Sequence, residues 1–149
     1  MARSLLYENV AQLAQIEPQT LNSGATASDT TGWIDATDWD QIALQVNIGE
    51  VSAGGSIIAS VNEATDSSGT GSNAIAAAAS SAMTTSDKMA EIVFKTRKMT
   101  EGYTHLNFTL TNSAAFNVVV CATAMGYNND DGPAEDFDSS DVAEIVKYI

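Results

Sequence analysis

The chain has 149 residues and a formal charge of −13, from 19 acidic side chains against six basic ones. A chain of this length forms one domain that buries roughly 70% of its unfolded surface without a metal or disulfide. An acid excess of this size disfavours nucleic acid, whose phosphates call for a basic surface. No apolar run approaches the roughly 20 residues that span a bilayer, the longest being Ala74 to Ala79 and Phe116 to Ala122, the latter with Asn117 inside it. Cys121 is the single cysteine, so no internal disulfide, thiolate cluster or paired redox motif can form.

The first residues, MARSLLYENVAQLAQIEPQ, lack the apolar core of about 7–15 residues found in a secretory signal, so synthesis in a cytoplasm is expected. Leu6, Val10 and Leu13 are spaced for one helical face, while Val10, Gln12 and Ala14 also fit a strand reaching Pro18. Residues 1–20 read as an apolar N-terminal arm. The next motif, TTGWIDATDWD, reads as a strand followed by an aspartate-rich turn, with Trp33 and Trp39 as core or interface anchors. Asp35, Asp38 and Asp40 beside those rings are a weaker match to the paired carboxylates of a glycosidase.

From Gln41 onward the pattern has period two. Ile42, Leu44, Val46 and Ile48 share one face, against Gln41, Gln45 and Asn47 on the other, as in a half-buried strand. The turn at Ala53-Gly54-Gly55 precedes a second strand, in which Ile57, Ala59 and Val61 share a face; a hairpin is the simple reading. Residues 66–73 hold small polar turn formers and read as an exposed loop. The alanine-rich segment after it fits either a short helix or a packing surface of small residues. Ala90 to Thr96 predicts a strand with Ile92 and Phe94 on one face and Glu91 and Lys95 on the other.

The strongest local signal is the pair Tyr103 to Thr111 and Phe116 to Tyr127, joined by Asn112-Ser113-Ala114-Ala115. It predicts a hairpin with a loop of about four residues, whose second strand is apolar on both faces and therefore central or covered by a neighbouring subunit. Residues 129–149 carry seven acids against Lys147. This acidic tail ends in an amphipathic stretch, with Asp141 and Glu144 at capping-box spacing and Val142, Ile145, Val146 and Ile149 at helical spacing. The fold expected is all-β: a single antiparallel β-sandwich or jelly roll over residues 21–128, with extended N- and C-terminal arms.

Catalytic chemistry is thinly supplied. His105 is the only histidine, no G-x-S-x-G motif occurs, and Cys121 lies in an apolar run that raises a thiol pKa, so the reading is a buried inert cysteine and no enzyme. The run NNDDGPAEDFDSSD is rich in oxygen ligands but fails the EF-hand pattern, and no glycine-rich phosphate loop is present. No metal, cofactor or catalytic residue is expected.

Two segments, GWIDATDWDQIALQVNIGEVSAGGSIIASVNEATD and KTRKMTEGYTHLNFTLTNSAAFNVVVCATAMGYN, carry a resemblance. A polar turn leads to a strand ending in glycine, a second strand carries a variant of V-x-E-A-x-D, and a late hairpin follows a basic turn. This order resembles the decoration (cement) proteins of tailed-phage capsids, small virion proteins with jelly-roll or β-sandwich folds. The resemblance implies a homotrimer on the capsid exterior, bound to the major capsid protein and bridging its subunits, with no nucleic acid or membrane partner. The candidate contacts are the apolar arms, through Leu5, Leu6, Val10, Leu13, Val142, Ile145 and Ile149, and the basic residues Lys88, Lys95, Arg97 and Lys98. The rival expectation is a carbohydrate- or receptor-binding sandwich of a head fibre or tail-associated adhesin, stacking sugars on Trp33, Trp39, Tyr103 or Tyr127.

Overall fold

A strand with one apolar face is stable only when that face is covered, and among the described residues ten strands cover one another as two sheets. The computed structural model describes residues 10–22, 27–112, 116–128 and 142–148. The strands are β1 (Val10–Leu21), β2 (Ser28–Thr30), β3 (Ile34–Asp35), β4 (Gln41–Val51), β5 (Ile57–Ala64), β6 (Asn73–Ala74), β7 (Lys88–Lys95), β8 (His105–Asn112), β9 (Val118–Tyr127) and β10 (Val142–Tyr148). One sheet runs β1-β9-β4-β7-β10; the other runs β2-β8-β5-β6, with β3 also pairing β8. All pairs are antiparallel except β7 with β10. The all-β sandwich expected from the sequence is present.

Without β10, the order β1-β9-β4-β7 facing β2/β3-β8-β5-β6 is that of a jelly roll, in which successive strands cross between the sheets. Both expected hairpins are therefore corrected. β4 and β5 lie in different sheets, and so do β8 and β9. The reason is packing. Leu106, Phe108 and Leu110 from β8 and Val118, Val120, Ala122 and Ala124 from β9 all join the one buried cluster, so each strand brings its apolar face to the same interior from opposite sides. A hairpin would have aligned those faces in one sheet. The arch is tied by Asn112, whose buried side-chain amide donates to the carbonyls of Leu21 (2.9 Å) and Phe116. Among the described residues the hairpin that does form is β5–β6, around the loop at residues 65–72.

The faces themselves follow the sequence. Ile42, Leu44, Val46 and Ile48 point into the core with Ile92 and Phe94, as do Ile57, Ala59 and Val61. β9 sits between β1 and β4, inside its sheet, with its second face half-exposed rather than buried. Cys121 is on that outer face and is half-buried, where a fully buried thiol was expected. Four residues of the outer face, Gln41, Ala43, Glu91 and Val93, are nevertheless buried. The alanine-rich segment resolves as a single 3-10 turn, Ala76–Ala78, with Ala78 in the core.

The C-terminal end gives a second correction. Residues 10–20 of the N-terminal arm take the strand alternative, as part of edge strand β1, while the terminal helical spacing resolves as strand β10. Val146 and Tyr148 also satisfy period two, and β-branched and aromatic side chains favour a pleated surface over a helix. Val146 and Tyr148 pack on the core, and the Tyr148 ring stacks on Phe94 with centroids 5.2 Å apart. Leu5, Leu6, Ile149 and the acidic run at residues 129–141 lie outside the described residues.

Candidate functional site

The basic residues do not form one surface. Lys88 and Lys95 occupy opposite ends of β7, seven residues or roughly 23 Å apart at strand spacing. Lys95 instead leads into the 3-10 turn Thr96–Lys98, so Lys95, Arg97 and Lys98 cluster at one pole of the sandwich, with Arg97 and Lys98 exposed. The apolar candidates are also divided. Val10 and Leu13 lie on β1 while Val142 and Ile145 lie on β10, at opposite edges of one sheet, four strand spacings or about 19 Å apart.

The basic pole borders a cleft of about 260 Å³. Three chain segments line it: Ala36 and Thr37 after β3, Thr96, Arg97 and Met99 after β7, and Tyr103 and Thr104 before β8. Each is held by its backbone. Ala36 N donates to Thr104 O (2.9 Å), Thr96 N to Asp40 O (3.0 Å), and Met99 N to Thr96 O (3.0 Å). The side chains add further ties. Thr37 Oγ1 donates to Asp35 Oδ1 (2.7 Å), Thr96 Oγ1 to Trp39 O (2.6 Å), Thr104 Oγ1 to Thr65 O (2.9 Å), and the Tyr103 hydroxyl to Gly71 O (2.9 Å).

Buried Glu63 on β5 fixes the loop between Met99 and Tyr103. Its Oε2 accepts from Thr100 N at 2.9 Å, and its Oε1 accepts from the Thr100 hydroxyl and from Asn73 Nδ2 (3.3 Å). Asp66 organises the neighbouring loop by accepting from Ser68 N (2.8 Å) and Thr70 N (3.1 Å), and the hydrogen bonds from Thr70 hold its carboxyl below the usual value. Asp35 is likewise held low, first by the Thr37 hydroxyl and then by the Thr37 N–H. These aspartates are turn-formers. Both members of the V-x-E-A-x-D motif, Glu63 and Asp66, thus hold loops around the cleft.

The tryptophans are packing residues, Trp33 against the loop at residues 65–72 and Trp39 against β9. Trp39 packs on the core and lies against Gly126, where a Cβ would come within 2.4 Å of the indole. Trp33 lies against Gly69, where φ is +81° and a Cβ would be 2.5 Å from the indole nitrogen. Gly69→Ala is therefore expected to lose about 2–3 kcal/mol, combining left-handed backbone strain with displacement of the ring. Urea denaturation measures it, and a loss under about 0.5 kcal/mol would show that the loop shifts freely.

His105 stands opposite Asp35 across the β3–β8 pair, and its Nδ1 is 2.8 Å from Thr104 Oγ1. Tyr127 is on the outer face, where burial first and the Glu91 charge second push its phenol pKa up. Tyr103 is the only one of the four sequence-proposed stacking residues that lines the cleft. Sequence reading missed Thr37, Met99 and Thr104, which carry no motif and meet only through folding. Among the described residues, no three His, Cys, Asp or Glu side chains are grouped to hold a metal ion, and no helix is long and apolar enough to cross a membrane.

No protein-family model matches the chain, and no curated protein matches it. Among solved structures it is similar to a chain of infectious bursal disease virus, Gt strain, with TM-score 0.51 and 12% identity, covering 83% of this chain and 33% of that one. It is also similar to the CBM22-1–GH10 modules of Clostridium thermocellum endo-1,4-β-D-xylanase 10B complexed with xylohexaose, with TM-score 0.45, 11% identity, and coverage of 86% and 29%. A chain of the Gx strain of the same virus gives TM-score 0.45, 11% identity, and coverage of 81% and 32%. The protein spans about a third of the length of these chains. At this identity the first likeness establishes the β-sandwich fold.

Proposed function

We propose that this jelly roll is a structural virion protein that binds the outer surface of a phage capsid as a homotrimer and bridges neighbouring major capsid subunits, without catalysis. The observation that carries the reading is the concentration of Lys95, Arg97 and Lys98 at one pole of a chain whose formal charge is −13. Such a pole selects and orients an acidic partner surface while the remaining surface repels it. The jelly-roll strand order and the resemblance in the segments around β3–β5 and β8–β9 support the same reading.

Converting Lys95, Arg97 and Lys98 together to glutamine is expected to weaken attachment to decoration-free capsids roughly tenfold and to flatten its salt dependence, at about 0.5 kcal/mol for each charge. Cosedimentation across a salt series measures this. Unchanged occupancy at every salt concentration would remove the pole from the interface.

A second reading, a carbohydrate- or receptor-binding sandwich of a head fibre or tail-associated adhesin, is favoured by the cleft beside Tyr103. The two are separable, because the first requires a capsid and the second is a property of the isolated protein.

A further inference from the structure

We infer that the cleft between Thr37, Arg97 and Tyr103 binds a neutral, polyhydroxylated ring such as a pyranose in preference to an anion; this deepens the second reading above and is independent of capsid attachment. The argument rests on which hydrogen-bonding capacity the cleft has left. Every hydroxyl among its lining residues already gives its hydrogen to a protein oxygen: Thr37 to Asp35, Thr96 to Trp39, Thr104 to Thr65, and Tyr103 to Gly71. The Thr37, Thr96 and Tyr103 hydroxyls therefore offer lone pairs that accept hydrogen bonds from a ligand donor, while Thr104 Oγ1 is also engaged by His105 Nδ1 at 2.8 Å.

A carboxylate or fully ionised phosphate brings acceptors only; it can meet the Arg97 guanidinium at the rim, but against the hydroxyls it faces lone pairs or must break the threonine bonds that hold the lining segments. A sugar hydroxyl brings a hydrogen to each lone pair and an oxygen that can accept from the Arg97 guanidinium at the exposed rim. The second requirement of a pyranose is an apolar surface for its C–H face. Half-buried Tyr103 and Met99 supply one, and Tyr103 is held in place by its own hydroxyl on Gly71. A volume of about 260 Å³ lies just under the roughly 300–1,000 Å³ of small-molecule sites, and so suits one ring of a chain.

The test is amide-shift mapping on the isolated, isotopically labelled protein. The probes are three neutral oligosaccharides (cellohexaose, maltohexaose and N-acetylchitotetraose), one acidic one (oligogalacturonate), and inorganic phosphate. A neutral probe is expected to give saturable shifts confined to residues 36–37, 96–99 and 103–104. Tyr103→Ala should weaken that binding at least tenfold, whereas Tyr103→Phe, which keeps the ring, should weaken it less than threefold. Thr37→Ala, at an exposed position, gives a second test if Tyr103→Ala loses its dispersed spectrum, and it should weaken binding two- to fivefold. Saturable shifts with oligogalacturonate or phosphate alone would overturn the neutral ligand class while leaving a receptor-binding role standing. No saturable shift with any probe would overturn the site and the second reading together.

Discussion

Phe94→Ala is expected to lower the unfolding free energy by about 3–5 kcal/mol, the range for removing a large buried aromatic side chain. Phe94 is fully buried on β7, pairs with Ile42 of β4 on one side and meets the Tyr148 ring of β10 on the other. Its loss therefore leaves a cavity between the sheets and also removes a stacked contact worth about 0.5–1.5 kcal/mol beyond area burial. For a domain whose total stability is about 5–15 kcal/mol, that is a large share. Urea denaturation gives the magnitude, and amide exchange locates the effect: residues 142–148 should exchange faster in the variant at urea concentrations well below the transition. A loss under about 1.5 kcal/mol, or unchanged exchange in β10, would mean that β10 is held by its backbone ladder with β7 and not by the ring contact.

That contact marks a limit of what the sequence discloses. Period-two alternation identifies the buried faces of β4, β5, β7 and β8 because a strand's side chains alternate whatever its neighbours are. It does not identify the neighbours. The stretch from Tyr103 to Tyr127 has the composition of a hairpin, two apolar faces and a short polar link, and the same composition serves an arch that carries the chain from one sheet to the other. The choice depends on whether the two faces pack side by side or face to face, a property of the whole core. At the C-terminus, Val142, Ile145 and Val146 fit a helix while Val146 and Tyr148 fit a strand. The strand prevails because β7 offers a sheet edge with which to pair. The cleft was still less visible, since its walls come from residues 36–37, 96–99 and 103–104, where threonines read as ordinary strand-end polar residues. Of the cleft residues, the sequence singles out Tyr103 as a stacking ring and Arg97 as a basic contact.

Glu63 shows what the motif around it is for, and its removal is the second large effect. Glu63→Ala is expected to cost about 2–3 kcal/mol, since hydrogen bonds to a charged group contribute about 1.5–3 kcal/mol. The variant leaves Thr100 N, the Thr100 hydroxyl and Asn73 Nδ2 without the acceptor they share. Glutamine retains one carbonyl oxygen but turns the other position into a donor facing donors, so Glu63→Gln should lose about half as much. The two variants separate hydrogen bonding from volume, because glutamine keeps the shape. The loss should also reach the cleft: Thr100 lies between Met99 and Tyr103, so amide exchange at residues 99–103 should accelerate in both variants while the β4 and β9 ladders stay protected. If stability fell with no change in that loop, Glu63 would be only a core-filling residue, and the tether between β5 and the cleft wall would not exist.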